Sequence, residues 1–166
     1  MQRGVSHWLV RGLYLLALLL AISPLVEYVT MIWPMRPGDL VWRYGALGLG
    51  AGHLPNVTVG LAALLGIAYW KGHRAMFYAA ALVSAAGAVL ILPAMATFAL
   101  DVMQFRALRE EELRGAVLIS GVLQELKYFV TALAMGCLGI GALQMAGSLF
   151  PSAVEPSPAA LRADSR

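Results

Sequence analysis

The chain has 166 residues, of which 60% are hydrophobic and 13% are charged, and this composition lies outside the range of soluble domains. A membrane-spanning helix needs about 20 apolar residues, so the chain has room for roughly four spans and for no separate soluble domain. The formal net charge of +3 comes from Lys and Arg residues that stand singly or in pairs at the ends of apolar segments, a pattern that excludes a nucleic-acid-binding run and is typical of membrane-interface anchors.

The first apolar segment predicts a membrane span over residues 9–32. A basic N-terminus precedes it, which is the layout of a signal peptide. We do not expect cleavage, because Pro24 would directly follow the small-residue site at Ala21 to Ser23 and the hydrophobicity continues to Trp33. The segment is therefore interpreted as an uncleaved signal anchor that Pro24 kinks.

Two further spans follow, separated by a tight basic turn at residues 71–74. The second, over residues 44–70, contains Gly48 and Gly52 in a GxxxG pattern, which lets a neighbouring backbone approach closely. The third, over residues 75–99, is rich in alanine, glycine and serine. Since helices in lipid pack through small side chains, we expect the third span at the centre of the bundle.

Residues 101–126 carry apolar side chains at helical spacing beside several charged ones, so they predict an amphipathic helix outside the hydrocarbon. The fourth span is then predicted over residues 128–150. An earlier start would bury Glu125 and Lys127 in the membrane at a cost of about 2.5–3.5 kcal/mol each. The proline-containing tail, residues 151–166, is predicted to be disordered.

These elements predict an all-α integral membrane protein in which residues 1–150 form a single bundle of four transmembrane helices, with the amphipathic segment on the extracytoplasmic side. Four spans place both termini on one side of the cell membrane. The basic N-terminus and the short basic turn favour the cytoplasm, although the two sides carry equal numbers of Lys and Arg residues.

Polar side chains meet at one depth in the predicted spans. With a rise of about 1.5 Å per residue, Glu27, His53 and Thr131 lie about 26–27 Å from the cytoplasmic ends of their spans, and Asn56 lies a turn deeper. An unpaired charge in hydrocarbon is costly, so we expect Glu27 and His53 within a hydrogen bond or one bridging water of each other. The four residues form either a sealed polar knot or an outward-opening ligand-binding pocket.

A second set of charges lies in the segments predicted outside the membrane. These charges predict a docking face for a partner protein or a lipid headgroup, with an ordinary solvated surface as the alternative. The residues are Arg36, Asp39, Arg43, Glu110, Glu111 and Glu112.

No catalytic motif, metal-ligand set or cofactor motif is present in the sequence. A six-coordinate haem would need a second histidine at the depth of His53, and His7 and His73 are predicted at the opposite ends of their spans. The single cysteine, Cys137, lies in an apolar segment and is interpreted as packing volume.

We therefore expect a non-enzymatic membrane protein. The first hypothesis is a scaffold or accessory subunit, whose partners are the lipid bilayer and other membrane proteins or further copies of itself. The alternative is an outward-facing binder or carrier of a small, lipid-like or pigment ligand.

Overall fold

The computed structural model describes residues 7–149, which form four α-helices. These are α1 (His7–Ile32), α2 (Leu40–Lys71), α3 (Arg74–Ala107) and α4 (Glu111–Leu149). Each helix is long and apolar enough to cross a membrane. The predicted all-α architecture with four spanning-length helices is therefore confirmed for this part of the chain, and the predicted tail lies outside the described residues.

The helix ends follow from local chemistry. The Asp39 carboxylate accepts a hydrogen bond from the Val41 N–H at 2.8 Å and so caps the start of α2. At the other end of α2, Gly72 adopts the left-handed conformation with φ of 67°, and the His73 N–H donates to the Ala68 carbonyl at 3.0 Å. Because glycine enters this conformation at little cost, it allows the tight reversal into α3. We refer to the two ends of the bundle as the Asp39 end and the Gly72 end.

The predicted amphipathic helix over residues 101–126 is not a separate element, and this prediction is corrected. Its first residues complete α3, a short connection spans residues 108–110, and the remainder is continuous with α4. The third span was predicted to end near residue 99, but α3 continues to Ala107, and Arg43 neutralises the Asp101 carboxylate within this extension. No proline interrupts residues 111–149, so α4 runs unbroken for 39 residues.

The central helix is α2, and the expectation that the third span is central was wrong. The α2 backbone packs against each of the other three helices, and α3 also packs extensively against α4. Within residues 7–149, the α1 backbone runs beside α2 and beside neither α3 nor α4. The first helix is therefore peripheral, and a space remains between α1 and α3.

Small residues do set the close contacts, but at other positions than the GxxxG pattern. A Cβ added at Gly52 would meet no atom within 4 Å, and one at Gly48 would meet only a Phe98 ring atom at 3.9 Å. A Cβ added at Gly60, by contrast, would lie 2.6 Å from the Ala21 Cα. The close approach of α1 and α2 therefore depends on Gly60.

Candidate functional site

The space between α1 and α3 forms a cleft whose floor is α2 and whose far wall is α4. Two chambers lie along this cleft, and the larger one has a volume of about 430 Å³. The lining side chains are mostly aliphatic, and the polar groups among them are Tyr28, His53 and Tyr128. This combination of apolar walls with a few polar groups is the usual character of a small-molecule site.

Tyr128 is a rigid part of this wall. Its side chain is buried, and its hydroxyl donates a hydrogen bond to the Leu47 carbonyl across the interface between α4 and α2. Gly50 makes this contact possible, because a Cβ at that position would lie 2.9 Å from the Tyr128 hydroxyl oxygen. The Tyr128 hydroxyl is therefore committed to holding the helices together.

A line of stacked rings continues from Tyr128 toward the Asp39 end. Tyr128 packs edge-on against Phe98 with centroids 6.1 Å apart, and Tyr44 stacks between Phe98 at 5.5 Å and Phe105 at 4.4 Å. Such pairs contribute about 0.5–1.5 kcal/mol each beyond simple burial. They join α2, α3 and α4 firmly behind the cleft, whereas no ring of α1 takes part in this line.

The structure brings Glu27 and His53 together at one side of the cleft. The His53 Nδ1 and the Glu27 Oε2 are 4.0 Å apart, which is an ion-pair distance but longer than a direct hydrogen bond. The His53 side chain is 16% exposed and the Glu27 side chain is 55% exposed. Glu27 therefore lies at the rim, while His53 faces the interior.

The other two residues of the predicted polar level do not join this pair. Asn56 is exposed and lines a separate groove between α1 and α2, beside Ser23 and Pro24. Thr131 is buried and donates to the Lys127 carbonyl of its own helix at 2.7 Å. Depth along a helix does not fix the direction in which a side chain points. Asn56 is three residues after His53, so its side chain points about 60° away from that of His53 around the helix axis.

The smaller chamber, of about 280 Å³, adjoins the larger one at Tyr28, toward the Asp39 end. The two chambers share the side chains of Tyr28, Leu47 and Ala94. The smaller one is more polar, since Arg43 and Thr97 line it. In the described part of the chain, the Tyr28 hydroxyl has no hydrogen-bond partner.

Arg43 and Asp101 form an ion pair between α2 and α3 that was not predicted. The Arg43 Nη2 lies 2.8 Å from Asp101 Oδ1, and Nε lies 3.1 Å from Oδ2, so the contact is bidentate. Asp101 is only 2% exposed. The sequence did contain a signal for this pair. Arg43 and Asp101 lie about 42 Å and 40 Å from the Gly72 turn along their helices, so they are at nearly the same depth.

Two of the six residues of the predicted docking face also have structural roles. Arg43 binds Asp101 and the Pro37 carbonyl, and Asp39 caps α2, so both side chains have structural partners. Arg36 and the three glutamates at residues 110–112 are exposed, as a docking face requires. Their role as a docking face stays a prediction.

A second groove lies between α2 and α4 on the Gly72 side of the bundle. Its volume is about 630 Å³, and small side chains line it, including Ala62, Gly66, Ala134 and Gly141. Cys137 also lines this groove and is exposed, so it does not pack inside the bundle formed by the described residues.

The walls of the cleft offer apolar contact, and its few polar groups can form hydrogen bonds. Among residues 7–149, no group of three or more histidine, cysteine, aspartate or glutamate side chains is placed to hold a metal ion. No protein-family model, curated protein or solved structure matches the chain.

Proposed function

We propose that this chain is an integral protein of the cell membrane whose four helices cross the bilayer. The helices carry many exposed large aliphatic side chains, including Leu18, Leu82, Leu90 and Leu133, which water would solvate poorly. From the Gly72 turn to His53, α2 extends about 27 Å, close to the thickness of the hydrocarbon core. Exposed Tyr69 and Trp70 support an interface at the Gly72 end, and the Arg43–Asp101 pair then lies beyond the hydrocarbon on the other side.

The topology that follows has both termini in the cytoplasm, as the basic turn at the Gly72 end indicates. A reporter that is active only in the cytoplasm, fused after Arg166, is expected to be active. The matched fusion within the connection at residues 108–110 is expected to be inactive. The opposite pattern would reverse the orientation, and activity of both fusions would contradict the four-span arrangement.

We further propose that the protein binds an amphiphile with an apolar body in the cleft between α1 and α3. The observation that carries this function is the cleft itself, whose larger chamber of about 430 Å³ falls within the range of about 300–1,000 Å³ usual for ligand sites. Exposed Leu25, Val83 and Leu90 lie at its edges, so an apolar chain can enter sideways from lipid. The polar end of the ligand then lies past Tyr28 at the Asp39 end of the cleft, near the membrane interface.

Filling the cleft tests this function directly. Ala86 is exposed on the cleft wall, so Ala86→Trp should occupy the larger chamber without entering the buried core. We expect this variant to lose at least about tenfold in affinity for an amphiphile measured with purified protein, since its apolar body can no longer be buried.

Ala62→Trp is the matched control, because Ala62 is also exposed and lines the groove between α2 and α4 instead. It should bind as the unaltered protein does. Equal binding by both tryptophan variants and the unaltered protein would place the ligand elsewhere and overturn the function.

A role as a scaffold or accessory subunit is the second candidate, and the groove between α2 and α4 favours it. A Cβ added at Gly66 or Gly141 meets no atom within 4 Å, so the groove has open space beside small residues. Transmembrane helices associate through such surfaces. A spanning helix of a partner subunit would fill the groove and cover Cys137.

Chemical labelling of Cys137 tests this second candidate. A lipid-soluble maleimide is expected to label Cys137 slowly in native membranes and quickly after purification, because a partner helix covers the groove only in the membrane. A Leu82→Cys control in a Cys137→Ser background should react equally in both preparations, since Leu82 is 72% exposed on another helix. Equal labelling of Cys137 before and after purification would rule out a partner in this groove.

A further inference from the structure

The charges around the cleft indicate which polar head its ligand carries, and this step rests on the ligand-binding function proposed above. No lysine or arginine lines the larger chamber, where the ionisable side chains are His53 and two tyrosines. The smaller chamber has one cationic side chain, Arg43. The suitability of the cleft for an anionic head therefore depends on whether Arg43 is available.

Every nitrogen of the Arg43 guanidinium already donates a hydrogen bond. Its Nε and Nη2 donate to the Asp101 carboxylate, and its Nη1 donates to the Pro37 carbonyl at 3.1 Å. The formal charge of this pair is zero. Beside the larger chamber, the Glu27 carboxylate lies 4.0 Å from the His53 ring and would repel a second anion. A phosphate or carboxylate head would therefore lose its hydration without gaining an unpaired cation.

The Tyr28 hydroxyl offers a different kind of contact. It lies where the two chambers meet, and among residues 7–149 it has no hydrogen-bond partner. The other tyrosine of the larger chamber, Tyr128, is committed to the Leu47 carbonyl. A phenolic hydroxyl both donates and accepts, so it suits an alcohol or a carbonyl oxygen.

We propose that the ligand is a single-chain amphiphile with an uncharged head that bears hydroxyl or carbonyl oxygens, and that the Tyr28 hydroxyl binds this head. The apolar chain occupies the larger chamber, and the head lies in the smaller one. The cleft thereby selects against anionic lipids and free fatty acids of the same chain length.

Three probes with the same oleoyl chain test this selectivity: monooleoylglycerol, oleate and oleoyl lysophosphatidate. Equilibrium binding to the full-length protein in nanodiscs is measured at a pH at which oleate is ionised. Monooleoylglycerol is expected to bind at least about tenfold more tightly than either anion. Tyr28→Phe should weaken monooleoylglycerol binding about five- to tenfold, the effect of one lost hydrogen bond, whereas Tyr69→Phe in the other groove should not.

The possible failures are distinguishable. If oleate or lysophosphatidate binds as tightly as monooleoylglycerol and Ala86→Trp abolishes that binding, the ligand-binding function stands and the uncharged-head inference is overturned. If monooleoylglycerol is preferred but Tyr28→Phe changes nothing, the assignment of Tyr28 is overturned. If no probe binds in a way that depends on Ala86, the proposed function itself fails.

Discussion

Replacing Arg43 by alanine is expected to lower the unfolding midpoint by about 10 °C, as the loss of one partner of a buried ion pair does in a chain of this size. The reason is that the Asp101 carboxylate remains in the protein without its partner. Asp101 is 2% exposed, and its oxygens accept the charged hydrogen bonds of Arg43. Without these donors, the carboxylate is desolvated and unpaired between α2 and α3. The midpoint is measured by thermal unfolding in a mild detergent.

The two sides of this pair should respond unequally. Asp101→Ala is expected to have a smaller effect than Arg43→Ala, because Arg43 is 29% exposed and keeps contact with solvent and the Pro37 carbonyl. The double variant should recover part of the loss, since no unpaired carboxylate remains.

Arg36→Ala is the matched control, because Arg36 is exposed in the connection just before α2 and its side chain makes no ion pair or hydrogen bond in the part of the chain that the structure describes. Its midpoint should stay near that of the unaltered protein. If the unfolding midpoint of Arg43→Ala shifts no more than that of Arg36→Ala, the Arg43–Asp101 pair contributes little to thermal stability.

The helices themselves were predictable, since their apolar segments are long and the turn at Gly72 has clear chemistry. The sequence also placed Glu27 and His53 at one depth, and the structure brings their side chains to 4.0 Å. Counting residues along helices works because the rise per residue is nearly constant. The depth of each residue along its helix, and the pairing of residues at equal depth, could therefore be inferred without a structure.

The direction of each side chain around its helix could not be inferred in this way. Asn56 and Thr131 have suitable depths, yet Asn56 is exposed in another groove, and Thr131 is buried and hydrogen-bonded to its own helix. A helix that is apolar on every side gives little signal about which face meets a neighbour. The sequence therefore did not show that α1 and α4 lie apart, and this separation excludes Thr131 from the pair at Glu27.

The ion pair was missed for a related reason. Each charge was judged alone, so Arg43 was assigned to a surface and Asp101 to the start of a helix outside the membrane. The bidentate contact with Arg43 offsets the cost of burying the Asp101 carboxylate between α2 and α3, within a helix that continues to Ala107.

Replacing Gly60 by leucine is expected to detach α1 from α2 and to remove the cleft with it. An added Cβ at Gly60 would lie 2.5 Å from the Ala21 nitrogen and 2.6 Å from its Cα, and backbone atoms cannot move aside as a flexible side chain can. Overpacking of this kind costs about 1–3 kcal/mol. Within the described residues the α1 backbone packs on α2 alone, so away from this interface α1 is held only by side-chain contacts such as the hydrogen bond between Tyr14 and His73.

The control for this prediction is Gly66→Leu, a change of the same residue type on the same helix. A Cβ at Gly66 meets no atom within 4 Å, so this variant gains the same helix propensity without a clash. Gly60→Leu should therefore unfold at a lower temperature than Gly66→Leu and should lose amphiphile binding, because Leu25 and Tyr28 of the cleft wall belong to α1. Equal unfolding midpoints and equal binding for the two variants would show that α1 is held by contacts other than the Gly60–Ala21 approach.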